Sequence, residues 1–185
     1  MPSPFLYFAD ERLSIAELSA ARLDGHVVEL GDAYIPADAV ETAALRAGSL
    51  RYVLKDTLAA THLTAAWVHG AALVPPVRHT VQRAVRRRLH AVIGVSLVYR
   101  DVALPLDDLQ LIGGVWVTTP ARTLADLVRI GDHAHTEVAQ TLLHDVPGVG
   151  EQAEAWLAEH RGIRNRRPGI ALLAKLLAAQ EEVTR

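Results

Sequence analysis

The sequence predicts an α+β protein: a small helix-plus-hairpin module over residues 1–39, then a hairpin-rich domain over residues 40–185 that ends in a helical C-terminal tail. Three observations carry this prediction. HVVEL-GD-AYIPA (26–37) and LQLI-GG-VWVT (109–118) each place two turn residues between short alternating runs, the pattern of a two-residue β-hairpin. Val115–Thr118, a β-branched and aromatic run suited to a pleated surface, feeds straight into Ala121, Leu124, Ala125 and Val128 at helical spacing. After Ile130 the pattern becomes that of successive amphipathic helices.

Each element has a local reason. Ser14 with Glu17 three residues on is a capping box; Leu18, Ala21 and Arg22 continue that helix, and Gly25 stops it. Asp38 with Glu41 suggests a second box, opening a helix through Leu45 to about Leu54. Thr57–Thr61 reads as a short extended segment, and Thr64 as the cap of a brief helix ended by Gly70. Pro75-Pro76 marks a loop. Val77–Val85 alternates like a strand, Arg86-Arg87-Arg88 follows, and Val95–Val102 returns beside it. Asp107-Asp108 reads as a solvated turn. Thr119 offers a capping hydroxyl and Pro120 occupies the first helical position, where a missing N–H costs nothing. Arg122 and Asp126, four apart, can pair across one turn, worth only a few tenths of a kcal/mol if exposed. Thr136–His144 and Glu151–His160 are helices parted by Pro147-Gly148; Arg161–Gly169 is a basic loop, and Ile170–Glu182 a final helix.

Half of the 185 residues are hydrophobic, which indicates a folded core. Cysteine is absent, so disulfides and thiol chemistry are excluded, and the composition suits a reducing cytoplasm. No signal peptide and no membrane-spanning run is evident. The net charge of −2 hides a strong segregation. Residues 71–100 carry six arginines and no acid; residues 161–185 carry six bases against two acids; residues 101–160 carry ten acids against two bases. Such islands matter to an anionic partner more than the total does. Arg83, Arg86, Arg87 and Arg88 form the first candidate phosphate-contacting patch, and Arg164, Arg166 and Arg167 a second arm.

Catalytic patterns are missing. The lysines, Lys55 and Lys175, are preceded by Val53-Leu54 and Leu173-Ala174, so the acidic-x-Lys of a restriction-type nuclease cannot be built. Gly48-Ser49 is followed by Asp56 but Leu58 breaks the Asp-x-Asp of a nucleotidyltransferase. No phosphate loop, G-x-S-x-G or H-E-x-x-H occurs. His62 with His69, and His133 with His135 and His144, lack the carboxylate spacing of a metal site. Neither enzymatic activity, nor a metal, nor a cofactor is expected.

The Gly-rich hairpin followed by TTPARTLADL (118–127) resembles the C-terminal domain of AbiEi-type antitoxins of actinobacteria, in type IV toxin–antitoxin systems. Ala16–Asp38 and Thr64–Ala71 agree in order, so the resemblance spans about residues 8–130 and nothing after Ile130. It implies that residues 1–39 are a winged-helix-like module, reduced because one helix rather than two precedes the wing. Thr119, Pro120, Arg122 and Asp126 are then family-motif residues with a structural role. It also implies a cytoplasmic transcriptional regulator that binds its own operator as double-stranded DNA and counters a nucleotidyltransferase toxin, with a homodimer as one arrangement. Two rivals stand beside it: a protein-interaction module without DNA contact, and the non-catalytic remnant of an endonuclease-bearing family. The cap assignment yields a first prediction: Thr119→Ala should lower stability by about 0.5–2 kcal/mol in a denaturant titration and leave other functions intact.

Overall fold

The computed structural model describes residues 3–90 and 94–183. The chain opens with α1 (Ile15–Leu23) and a hairpin of β1 (Val27–Leu30) and β2 (Ala33–Pro36). Helices α2 (Ala43–Ser49) and α3 (Arg51–Leu54) lead into β3 (Leu58–Ala60), α4 (His62–Val68), β4 (His79–Arg83) and β5 (Leu97–Ala103). A single 3-10 turn at Leu106–Asp108 precedes the hairpin of β6 (Leu109–Ile112) and β7 (Val115–Thr118). Four helices complete the described chain: α5 (Pro120–Ile130), α6 (His133–Asp145), α7 (Val149–Glu159) and α8 (Arg166–Val183). The α+β expectation is met.

Among the described residues, β3–β7 form a five-stranded mixed sheet in the order β5-β4-β3-β7-β6. Alternation divides its two faces. Leu58, Ala60, Val81, Val115 and Val117 point into the main core, which also takes Leu45, Leu50 and Leu54 from α2, α3 and the link between them, and Trp67 from α4. Leu6, Phe8, Leu30 and Ile35 join that core, so the N-terminal hairpin shares its packing with the sheet. Ala59 and Trp116 face the other way, where Leu104 and Leu109 cover them. These two leucines flank the link from β5, one edge of the sheet, to β6, the other edge; the link therefore straps that face. A separate core joins α4 to α5–α8 through Leu124, Leu127, Leu142, Leu157 and Leu173.

Helix α2 is held between two turns. Gly31, at the tip of the β1–β2 hairpin, lies against Ser49, and Gly113, in the β6–β7 turn, lies against the Ala44 carbonyl and the Gly48 amide. Small residues at 44, 48 and 49 make that approach possible. Gly113 and Gly114 both have positive φ, as a two-residue hairpin turn requires. Arg46 fastens the other side of α2, donating to the carbonyls of Trp67 and Ala72.

Several expectations hold: the Ser14–Glu17 capping box, both hairpins, the extended segment after Thr57, and the Thr119 cap with Pro120 behind it. Others need correction. The helix after the first hairpin is capped by Thr42, not Asp38, and Glu41 pairs with Arg46 instead of closing a box. It also breaks at Leu50, whose ψ is 0°, into α2 and α3. Helix α4 starts at His62 with Thr61 at its cap position, while the buried Thr64 hydroxyl accepts the Thr80 N–H. Strand β5 does not return antiparallel; it runs parallel to β4, from the His79–Leu97 pair onward. The basic segment 161–169 is loop only to Asn165, because Arg166 and Arg167 already belong to α8. Residues 5–10, too short for a further helix, place Tyr7 in a β-bridge with Tyr34 on the first hairpin.

The two turn glycines should separate conformational strain from collision. Gly114→Ala, whose new Cβ meets nothing, should cost about 1–2 kcal/mol from its positive φ alone. Gly113→Ala adds a clash with the Ala44 carbonyl and should cost clearly more, as chemical denaturation of the pair will measure.

Candidate nucleic-acid interface

The motif helix supplies the foundation of the site. Arg122, Asp126 and Arg129 follow one another at spacings of four and three, so they share a stripe of α5. Arg122 donates from Nε to Asp126 Oδ2 at 3.0 Å and from Nη1 to Asp108 Oδ2. The second oxygen of Asp126 accepts from Arg129 Nη1 at 2.8 Å. Asp108 Oδ1 accepts the indole N–H of Trp156 at 2.7 Å, and the Arg122 guanidinium lies over that indole ring. Asp126 is 1% exposed, Asp108 5% and Arg122 7%. Charges so buried persist only when each finds opposite charge and hydrogen bonds, and here every carboxylate oxygen has a partner. The Arg122–Asp126 pair is present as expected, but it is buried rather than exposed. Asp108 corrects the solvated-turn reading: the 3-10 turn delivers it inward, and its backbone carbonyl also accepts the Thr119 N–H.

Arg129 carries this network toward the surface. Its Nε donates to the Arg164 carbonyl at 2.9 Å, and Asn165 Nδ2 donates back to the Arg129 carbonyl at 3.1 Å. The 161–165 loop is thereby fixed on the end of α5. Between this loop, α5 and β5 lies a cavity of about 240 Å³, lined by His62, Arg100, Asp126, Arg129, Ile130, Arg164 and Asn165. Burial pushes the His62 imidazole down to about 4, with Asp126 opposing that shift and Arg100 adding to it. His62 is therefore neutral at pH 7.

The arginines named from sequence separate into two kinds. Arg83 is buried; it pairs with Asp101 at 2.7 Å and donates from Nη1 to the Arg86 carbonyl, so it shapes the turn that the next arginines occupy. Arg86, Arg87 and Arg88 are exposed, with Arg88 only 3.7 Å from Asp101. Arg87 and Arg88 line a second cavity, about 440 Å³, with Lys55 and His90. In the C-terminal arm Arg164 and Arg167 are exposed, while Arg166 is half-buried and donates to the Leu157 carbonyl.

Sequence reasoning missed Arg100. It lies exposed on the edge strand β5, next to Asp101, which contacts Arg83 and Arg88, and it lines the cavity shared with Arg129 and Arg164. Arg100 itself thus joins the C-terminal arm, while its neighbour Asp101 holds the first island. The signal for Arg100 was available: it is the last base of the acid-free stretch 71–100, on the opposite strand face from Tyr99 and Asp101.

Residues 58–178 match the family model described as the AbiEi antitoxin C-terminal domain. The chain belongs to this antitoxin family. The matched segment runs from the first residue of β3 into α8, taking in the whole five-stranded sheet and the helices packed on it. This corrects the extent read from sequence. The helices after Ile130 lie inside the AbiEi domain, because α6, α7 and α8 pack on the motif helix α5 in one core, whereas Ala16–Asp38 lies outside the matched segment. The family is one of antitoxins, a regulatory role, and in this chain Arg122 and Asp126 form the buried pair within the matched segment. No curated protein matches the chain. Among the described residues no helix is long and apolar enough to cross a membrane.

Two expectations follow for the network and the histidine. Asp126→Ala strands two guanidinium groups and should cost about 3–5 kcal/mol in urea unfolding. Because His62 binds its proton far more weakly when folded, its contribution is complete above pH 6.5 and declines as the pH falls toward 4. A shift of that size corresponds to about 3 kcal/mol. Burial lowers His69 and His79 as well, adding loss of the same sign. His62→Asn, which suits the positive φ of this position, should flatten the dependence of stability on pH across that window.

Proposed function

We propose that this antitoxin is a cytoplasmic transcriptional regulator of its own type IV toxin–antitoxin operon, which binds operator DNA and counters a nucleotidyltransferase toxin. The observation that carries the DNA-binding part is the exposure of both basic islands, Arg86, Arg87 and Arg88 after β4 and Arg164 and Arg167 in the C-terminal arm, with Arg100 exposed on the edge strand and sharing a cavity with Arg164. Exposed arginines of this kind neutralise phosphates and set position on a duplex without reading its sequence. Arg83 and Arg166, engaged inside the protein, support their neighbours instead. Residues 1–39, as a reduced winged-helix-like module, and residues 40–185, as the antitoxin domain, would divide the work, α1 and its hairpin adding register. The remnant reading, in which the helical tail took the place of a catalytic domain, loses support from the family match, which takes in α6, α7 and most of α8.

The interaction-module reading is favoured by one feature. Helix α1 buries only Leu18 and leaves Ile15 64% and Leu23 82% exposed, an apolar face better suited to protein than to DNA.

A salt titration on upstream and random duplexes decides between them. Each phosphate contact contributes about 0.9 to the slope of log affinity against log salt, so Arg86→Gln, Arg87→Gln and Arg88→Gln together should flatten it by up to about 2.7. Binding by neither protein at low salt would favour the interaction module. Co-expression with the adjacent open reading frame tests the antitoxin part: toxicity of that frame alone, relieved by this protein, is the expected result.

A further inference from the structure

The cavity between β5, α5 and the 161–165 loop carries positive charge that its surroundings do not neutralise. In and beneath its wall the paired charges balance, Asp108 and Asp126 against Arg122 and Arg129. Both oxygens of Asp126 are already engaged by arginines, so that carboxylate has no charge to spare for the cavity. His62, neutral in its buried position, adds none. Arg100 and Arg164 remain, and neither side chain has an ion pair among the described residues. Three guanidinium groups thus line a polar cavity of about 240 Å³, and the two without an ion pair, Arg100 and Arg164, give it an excess charge of two. The volume suits a tetrahedral oxyanion with a few waters, each taking about 30 Å³. Guanidinium matches phosphate oxygens in bidentate geometry, and a phosphomonoester brings a charge of about −1.5 to −2 near neutral pH.

We propose that this cavity is a binding site for one phosphate group, held between Arg100 on the sheet edge and Arg164 on the loop, with Arg129 behind them. The group is either a free phosphate or phosphomonoester, or one phosphate of a nucleic-acid backbone. Bound there, it joins β5 to the loop that leads into α8, two elements otherwise linked through α5. The site shares Arg100 and Arg164 with the DNA-contacting arginines proposed above, yet it needs no duplex, so the two readings fail separately.

Inorganic phosphate is the probe, followed by thermal shift and by phosphorus NMR at constant ionic strength. The wild type should show saturable binding. Arg100→Gln/Arg164→Gln should weaken it at least about tenfold, since each lost charge-assisted contact is worth more than a decade of affinity. Both residues lie at the surface, and circular dichroism verifies that the variant folds. Arg12→Gln/Lys175→Gln, two exposed positions away from the cavity, removes the same charge and should bind phosphate like the wild type. Sulfate, a dianion throughout, should bind with similar strength near pH 5.5 and pH 8, whereas phosphate should bind more tightly near pH 8, where it is mostly a dianion. Competition between phosphate and a random duplex assigns the ligand to the nucleic-acid backbone; phosphate binding without competition assigns it to a free phosphate group. Absence of saturable binding by the wild type, or an equal response of both double variants, overturns the inference whatever the duplex does.

Discussion

Two carboxylates and two guanidinium groups, paired in the interior with only Arg129 reaching toward the surface, tie this protein's parts together. Asp108 comes from the strap across the sheet, Arg122, Asp126 and Arg129 from α5, and the indole that completes the set from α7. Pairing charges in a dry interior yields little net stability against an apolar filling, but leaving one of them single is severe. The arrangement therefore selects rather than strengthens. A packing that moved the strap would strand a charge, and one that moved α7 by one turn would leave an Asp108 oxygen without its indole donor, so both displacements are penalised. The apolar core around Leu124, Leu127, Leu142 and Leu157 supplies the stability that this selection acts upon.

The same economy of charge explains why the surface looks as it does. Acids predominate in residues 101–160, yet two of them, Asp108 and Asp126, are consumed inside. Asp101 is occupied by Arg83 and Arg88. Near the β5 edge the arginines consequently outnumber the carboxylates available to them. A count along the chain understates this, because it treats buried and exposed charges alike.

What could be read in the sequence was what short range decides. Ser14 with Glu17, Thr119 with Pro120, and Gly113-Gly114 declare their roles because the groups they satisfy lie within three residues. Asp108 could not be read this way: its partners lie 14 and 48 residues on, and a pair of aspartates beside a proline looks like any solvated turn. The direction of β5 was equally hidden, since alternation is the same in parallel and antiparallel strands. Thr42 prevailed over Asp38 as a cap because the second hairpin's turn presses on Ala44 and Gly48, so tertiary contact rather than local preference sets where α2 sits. Of the arginines, 86–88 and 164 were recognisable as islands; Arg100 closes the same acid-free stretch, but its partners in the cavity, Arg129 and Arg164, lie 29 and 64 residues on and show only in the folded chain.

The strap from β5 to β6 has a topological meaning as well. Antiparallel hairpins and crossovers usually leave the two margins of a sheet independent, free to gain or lose a strand over evolutionary time. Here one short peptide spans from margin to margin and is nailed at its far end by the Asp108 carboxylate. The sheet is belted: its width is a covalent quantity, and a sixth strand cannot be intercalated without lengthening the belt and unseating its buried anchor.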